Sequence, residues 1–514
     1  VDGTRPPAFV IGGVLGLALL LSGGAALVFE MAWFHLAGLV FGNSLWATSL
    51  VLASFMGGLA LGNFIASRRG DRIERPIRAY GLIELGIGAS GLLLTLALPS
   101  LSGGLEPLLR GVRDSWAAQP VRFGLAFALL VVPTTLMGLT LPLVVAALCR
   151  RGVGFGPTLG ILYGMNTLGA VAGVLLAETI LVLHFGIRGA AAIAALTNVM
   201  AGVLALLLSR WRGGWQRLPL GAAALSQPAP GGATVMGTAR VVRFLLAAFL
   251  FGGSLLALEV IWFRFLFLFV VNSSQALAFM LVVVLAGIGA GGFIGAGIVR
   301  SRLPVLPCLF VLALAAAATT VLTYRAFQGQ LDDATRAAET TYAWYSLHYA
   351  WRTVVRYALA LMLPGSVLSG ALFTLVGHAL KAEIGADARA TGLLTLANTI
   401  GAMLGALAGA FVLLPWLGVE RSFFAIALLY ALAAALVAAR RFWLPFGVRA
   451  IGLGIVVLAA AGVLATFPFG LMRDVFLPLV AKKYQVDGSK IIATRESPTE
   501  SIIYMRADWL GEPV

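Results

Sequence analysis

Thirteen apolar stretches follow one another along this 514-residue chain. They lie near residues 10–41, 45–66, 79–101, 121–148, 157–183 and 187–209, then 244–271, 273–298, 303–323, 354–380, 390–415, 420–439 and 448–467. Each is long enough to cross a hydrocarbon layer of about 30 Å as a helix, which takes about 20 residues. Within that layer there is no water to hydrogen-bond the backbone, so every segment must pair its own N–H and C=O groups. A chain with this many such segments has one solution, a bundle of membrane-spanning helices. Composition agrees, with 60% hydrophobic and 11% charged residues where a soluble domain carries about 25% charged. The expected class is an all-α integral membrane protein whose first partner is the lipid bilayer.

The loops orient the bundle. Arg68, Arg69, Arg72, Arg75 and Arg78 follow the second stretch, Arg150 and Arg151 the fourth, and Arg210, Arg212 and Arg217 the sixth. Arg300 and Arg302 follow the eighth, and Arg440 and Arg441 the twelfth. All fall on one side if the N-terminus is cytoplasmic, the side that retains Lys and Arg. The expected location is a multi-pass inner (plasma) membrane protein, and thirteen crossings would place the tail in the periplasm. The net charge of +15 resides in these loops and not in a basic stripe interleaved with aromatics, so no nucleic-acid partner is expected. Cys149 and Cys308, and His35, His184, His348 and His378, are scattered without metal-ligand spacing. No metal or other cofactor is expected. Arg5, an apolar run and the small residues Ser22–Ala26 mimic a signal peptide, but a second, internal copy of the same segment marks it as a retained span.

That copy is the first of several. Residues 23–64 recur at 252–293 without a gap, at an offset of 229: Glu30 falls on Glu259, Trp33 on Trp262, Phe34 on Phe263, Asn43 on Asn272, Gly58 on Gly287 and Gly62 on Gly291. In the fifth and eleventh stretches the offset is 232, pairing Asn166 with Asn398, Thr167 with Thr399, Gly169 with Gly401 and Gly173 with Gly405. Both end in matching turns, Phe185-Gly-Ile and Leu417-Gly-Val. Pro133 and Gly138 are answered by Pro364 and Gly370. Six spans per half in one orientation make a parallel repeat. The boundaries expected are a six-helix repeat over 1–210, a cytoplasmic linker over 211–243, and a second repeat over 244–440. An additional transmembrane helix follows over 441–470, then an extramembrane tail over 471–514.

The pattern Ser22-Gly-x-x-Ala-Leu-x-x-Glu-x-x-Trp33 resembles the membrane region of the fused MFS/spermidine synthase family. So do Phe55-Met-Gly-Gly-Leu-Ala-Leu-Gly62, Met137-Gly-Leu-Thr-Leu-Pro142 and Asn166-Thr-Leu-Gly-Ala-Val-Ala-Gly173. Arg68-Arg-Gly-Asp-Arg72 with Arg75 is similar to the charged loop between the second and third helices of the major facilitator superfamily, and Asp71, Arg72 and Arg75 become candidates for a cytoplasmic gating loop. Arg495–Tyr504, alternating polar and apolar, resembles the opening strand of a spermidine synthase-like domain. The resemblance implies a Gly-rich nucleotide loop and catalytic acids downstream. The sequence stops at Val514 before either, so no enzyme active site is expected within residues 1–514, and a transferase domain is expected only in a longer chain.

A carboxylate inside a span is expensive and points to function. Glu30 and Glu259 are therefore the lead candidates for an intramembrane polar site, as proton-coupling or cation-binding groups or as structural carboxylates. Asn166 and Asn398 either line a substrate path or hydrogen-bond between close-packed helices. His35 and Arg264, at equivalent positions, are expected to snorkel to the outer interface, and Trp33 and Trp262 to anchor there. The repeated glycines read as packing residues. Tyr342, Trp344, Tyr345, Tyr349 and Trp351 are candidates for a membrane-surface segment or a docking face for a protein partner. Three functions remain open. One is a transporter of a small, cationic or polyamine-like solute; the second is a non-catalytic subunit or scaffold; the third is a membrane anchor for an aminopropyltransferase-like enzyme.

Overall fold

A computed structural model of the chain describes residues 8–41, 45–110, 118–210, 235–271, 273–301, 303–337, 351–438, 448–481, 490–496 and 501–506. Six helices precede residue 211: α1 (Ala8–Phe41), α2 (Leu45–Arg69), α3 (Pro76–Arg110), α4 (Ala118–Cys149), α5 (Phe155–Leu176) and α6 (Val182–Arg210). After it come α7 (Val235–Leu266), α8 (Ser274–Arg300), α9 (Val305–Ala337), α10 (Trp351–Leu361), α11 (Leu363–Ile384), α12 (Asp387–Ala408), α13 (Leu414–Val437) and α14 (Val448–Ala465). A one-turn helix, α15 (Leu477–Ala481), and strands β1 (Lys490–Glu496) and β2 (Ser501–Arg506) complete the description. Helix α7 begins inside the stretch expected as linker. The tenth span is two helices, because Pro364 at the head of α11 has no N–H to continue α10.

Among the described residues, ten stretches of helix are long and apolar enough to cross a membrane. Two of them, Phe155–Arg210 with 56 residues and Asp387–Val437 with 51, would each run roughly 80 Å if straight, well over twice the hydrocarbon thickness. Each is interrupted at the same place. A π-turn spans Ala177–Leu181 in one and Gly409–Leu413 in the other. Then Gly186 (φ 66°) and Gly418 (φ 70°) adopt the left-handed conformation that only glycine takes without strain. Aliphatic side chains on the outer faces, among them Leu93, Val132, Leu183, Leu196, Ile455 and Leu458, are largely exposed. A wrapping of lipid accounts for so wide an apolar surface.

The sequence repeat is a repeat of contacts. A Cβ placed at Gly169 would lie 1.9 Å from the Leu20 carbonyl oxygen, and one at Gly401 would lie 2.0 Å from that of Phe249. Gly173 meets Gly24 as Gly405 meets Gly253, and Gly62 meets Gly138 as Gly291 meets Gly370. Helices α1 and α5, α7 and α12, α2 and α4, and α8 and α11 thereby approach backbone to backbone, as small residues allow in lipid. Two further pairings, α5 on α8 and α2 on α12, join the halves. Substitution of Gly401 by alanine is expected to lower the melting temperature of the detergent-solubilised protein, since overpacking costs about 1–3 kcal/mol. Gly454 of α14 has nothing within 4 Å of its missing Cβ. The same change there should stabilise by about 0.5–1 kcal/mol, the helical penalty of glycine.

The tail departs from expectation. Residues 490–496 and 501–506 pair antiparallel, Arg495 opposite Ile502 and Glu496 opposite Ser501, so Arg495–Tyr504 spans parts of two strands and is not one strand. The segment after α14 is anchored to the preceding helices. Phe476 packs on Phe265, Phe269, Tyr324 and Phe327. Glu420 accepts hydrogen bonds from the Gly470 and Met472 N–H groups and the Tyr324 hydroxyl.

Candidate functional site

A cavity of about 330 Å³ lies between the two sets of helices. Glu30 of α1 and Glu259 of α7 both line it, as do Asn166 of α5 and Asn398 of α12. Four of the six intramembrane residues singled out in the sequence thus meet in one place, in two repeat-related pairs. Each glutamate is 7% exposed, and neither makes a hydrogen bond or ion pair among the contacts described. Phe34, Phe55, Phe251 and Phe263 supply apolar walls, and Tyr163 stacks on Phe373 at 4.4 Å between ring centres. Among the described residues no Lys, Arg or His lines the cavity.

Asn166 and Asn398 also serve packing. A Cβ at Gly23 would lie 2.0 Å from the Asn166 carbonyl oxygen and 3.0 Å from its side-chain oxygen, and Gly252 repeats this on Asn398. The two asparagines thus line the cavity while their backbones press on the glycines of α1 and α7. Further polar lining comes from Ser49, Asn63, Thr140, Ser369, Thr395 and Thr399, which the sequence reading passes over. Thr395, Asn398, Thr399 and Ala402 sit at helical spacing on one face of α12, a signal that periodicity could have found. Asn63 has no such signal, since its partner is remote: Thr395 Oγ1 donates to Asn63 Oδ1 at 2.8 Å.

The remaining candidates lie elsewhere. His35 Nε2 sits 2.7 Å from Glu178 Oε1 in the π-turn after α5. Arg264 is only 7% exposed. Protein partners, not snorkelling to water, hold both positions. Trp33 and Trp262 are 2% and 1% exposed and are core residues, not interfacial anchors. Trp33 stacks on Phe29 and donates to Thr95 Oγ1 at 3.0 Å, while Trp262 presses on Gly365. Tyr342, Trp344, Tyr345 and Tyr349 lie outside the described residues. Trp351 opens α10, half exposed beside Phe279, with Arg352 over its ring at 5.5 Å.

Asp71 does join the halves. Its two carboxylate oxygens accept from the Ala388 and Arg389 N–H groups, 3.0 and 2.9 Å away, and so cap the N-terminus of α12. Arg150 donates to the Asp71 and Ile73 carbonyls, and Lys381 pairs with Asp387 at 2.7 Å. Gly392 meets the Ser67 backbone just above. Arg72 and Arg75 are exposed. The arginine-rich end is thus closed by contacts between α2, its following turn and α12.

Comparison with solved structures identifies the architecture. The human organic anion transporter MFSD10 matches with a TM-score of 0.51 at 14% identity, over 84% of this chain and 100% of that one. A bacterial homologue of the iron transporter ferroportin, outward-facing with soaked iron, matches with a TM-score of 0.53 at 14% identity, over 83% and 98%. The chain has the major facilitator fold. At the level of sequence, no protein-family model and no curated protein matches it. Neither of these two matched structures is a spermidine synthase.

Proposed function

We propose that this protein is a transporter that binds a small organic cation in the cavity between its halves. The carrying observation is the pairing of Glu30 with Glu259 in a cavity that no basic side chain lines among the described residues. A buried carboxylate is tolerated when a cation or proton compensates it, and two of them suit a solute with one or two ammonium groups, a polyamine-like molecule included. Aromatic walls favour the same class, because the face of a ring attracts cations. A volume of about 330 Å³ is at the lower end of ordinary ligand pockets. The fold alone does not choose the solute, since its matched members are named for an organic anion and for iron.

In this reading each six-helix half moves as a body about the cavity, and the glycine-lined contacts keep each half rigid. The arginine-rich end is cytoplasmic, and the Asp71 cap holds that side shut. The test is ligand-dependent melting of the purified protein with matched panels of organic cations, organic anions and neutral polyols. Amine and ammonium compounds are expected to raise the melting temperature and the other two panels to leave it unchanged. A response to anions as large as to cations would sink the assignment.

A further inference from the structure

The segment after α14 forms a pocket of about 350 Å³ against the corner between α12 and α13. Helix α12 starts at Asp387, at the arginine-rich end. At ~1.5 Å per residue, its far end and this corner lie about 30 Å away, at the opposite end of the bundle. Glu420 builds the pocket. Its carboxylate accepts from the Gly470 and Met472 N–H groups and so fixes Arg473 at the same pocket as Arg421. Glu420 also lines the pocket, but with the Tyr324 hydroxyl it already holds three hydrogen bonds. Asp474 does not line it. Both arginines are exposed, and neither guanidinium has a hydrogen bond, ion pair or ring contact among the described residues.

Helix α10, which leads into α11 and so begins at this same end, offers a contrast. Arg352 lies over the Trp351 ring at 5.5 Å and Arg356 over the Tyr357 ring at 5.2 Å. Those guanidiniums have partners in the protein, whereas Arg421 and Arg473 face a gap. Two guanidiniums at one gap favour an anion between them, and their planar N–H forks match the oxygens of a phosphate. The rim identifies the carrier. Trp416, in the pocket lining, is 78% exposed, and Leu417 beside it is exposed as well. An uncovered tryptophan next to basic side chains, at the end of an apolar helix, suits the headgroup level of a bilayer. The first half lacks this arrangement: the offset of 232 places Gly189 at Arg421 and Arg188 at Glu420. It has neither the carboxylate that holds the covering segment nor the second cation.

We propose that Arg421 and Arg473 bind the headgroup phosphate of an anionic phospholipid, with Trp416 and Leu417 against its glycerol and upper acyl chains. The lipid bridges α13 and the segment after α14, which the protein itself joins through Glu420 and the rings around Phe476. The site shares no residue with the central cavity. It does not depend on what that cavity carries.

The test is the melting temperature of the full chain in detergent micelles of phosphatidylcholine doped with rising fractions of phosphatidylglycerol. The anionic lipid is expected to raise it saturably. Arg421→Gln/Arg473→Gln should move the half-saturating fraction upward roughly thirtyfold, each arginine at an anionic headgroup being worth about a factor of five. Both side chains are exposed and unpaired among the described residues, so this variant should melt like wild type in phosphatidylcholine alone. Arg352→Gln/Arg356→Gln should leave the half-saturating fraction nearly unchanged, because those guanidiniums serve aromatic rings. An equal shift in the two double variants would reveal a diffuse charge effect and overturn the site. Inorganic phosphate or glycerol 3-phosphate, added to phosphatidylcholine micelles, should reproduce none of the rise. A full rise from either makes the occupant a free phosphate compound and overturns the lipid assignment. Equal melting with and without phosphatidylglycerol overturns it outright.

Discussion

Replacing Glu30 and Glu259 together by glutamine is expected to abolish solute uptake into proteoliposomes while the protein remains folded. Glutamine keeps the volume and one acceptor of each side chain, so the cavity retains its shape and loses its charge. A hydrogen bond to a charged group contributes about 1.5–3 kcal/mol net. Two of them amount to roughly 10²–10⁴ in affinity for a cation that engages both carboxylates. Each single variant should retain part of the binding, because the other carboxylate still faces the solute. Stability should move little or rise. Neither glutamate is paired within the described protein, and burying an unpaired carboxylate is itself costly. A structural pair predicts the reverse, a lowered melting temperature with uptake intact in what remains folded. Measuring uptake and melting on the same preparations therefore decides between a solute site and a structural device. A wild-type protein that moves none of the cations that stabilise it would return the scaffold reading to first place.

The body of the fold is legible in the sequence because lipid leaves the chain so little choice. Twenty apolar residues mean a helix wherever they occur, and repeated glycines at fixed offsets mean the same close approach twice. Gly169 and Gly401 illustrate this, each pressed on a carbonyl of the helix that its half supplies. The pairing of Glu30 with Glu259 followed from the same symmetry, since equivalent residues of two facing repeats meet near the axis between them. What escaped was whatever depends on a partner far away in the chain and outside the repeat. Trp33 and Trp262 carry the composition of interfacial anchors, and only the tertiary positions of Thr95 and Gly365 make them core residues. His35 was read as a surface side chain because Glu178, 143 residues on, is invisible from its neighbourhood. Asn63 belongs to the cavity through Thr395, a contact between α2 and α12 that no periodicity announces.

Removing the Asp71 carboxylate is expected to loosen the arginine-rich end of the molecule and expose the cavity from that side. The two N–H groups it accepts, those of Ala388 and Arg389, are among the first of α12 and have no partner within their own helix. The carboxylate also opposes the positive end of the helix dipole, so charge and hydrogen bonding act in the same direction. Loss of such a cap costs about 0.5–2 kcal/mol. The lower part of that range applies if water replaces the carboxylate readily, since Asp71 is itself exposed. An equilibrium between closed and open forms would then shift by roughly twofold to thirtyfold. Asp71→Asn should lie between wild type and Asp71→Ala, keeping one acceptor and losing the charge. The readout is the rate at which a membrane-impermeant thiol reagent reaches a cysteine placed at Ser67, which Gly392 covers in the closed form. Cys149 and Cys308 are replaced by serine beforehand. Faster labelling in Asp71→Ala, slowed again by a bound cation that favours the closed form, is the expected pattern. Labelling that is unchanged by Asp71→Ala would mean that the contacts of Gly70 with Ala388 and of Gly392 with Ser67 hold the end shut by packing alone. The cap would then contribute to the stability of α12 without taking part in opening.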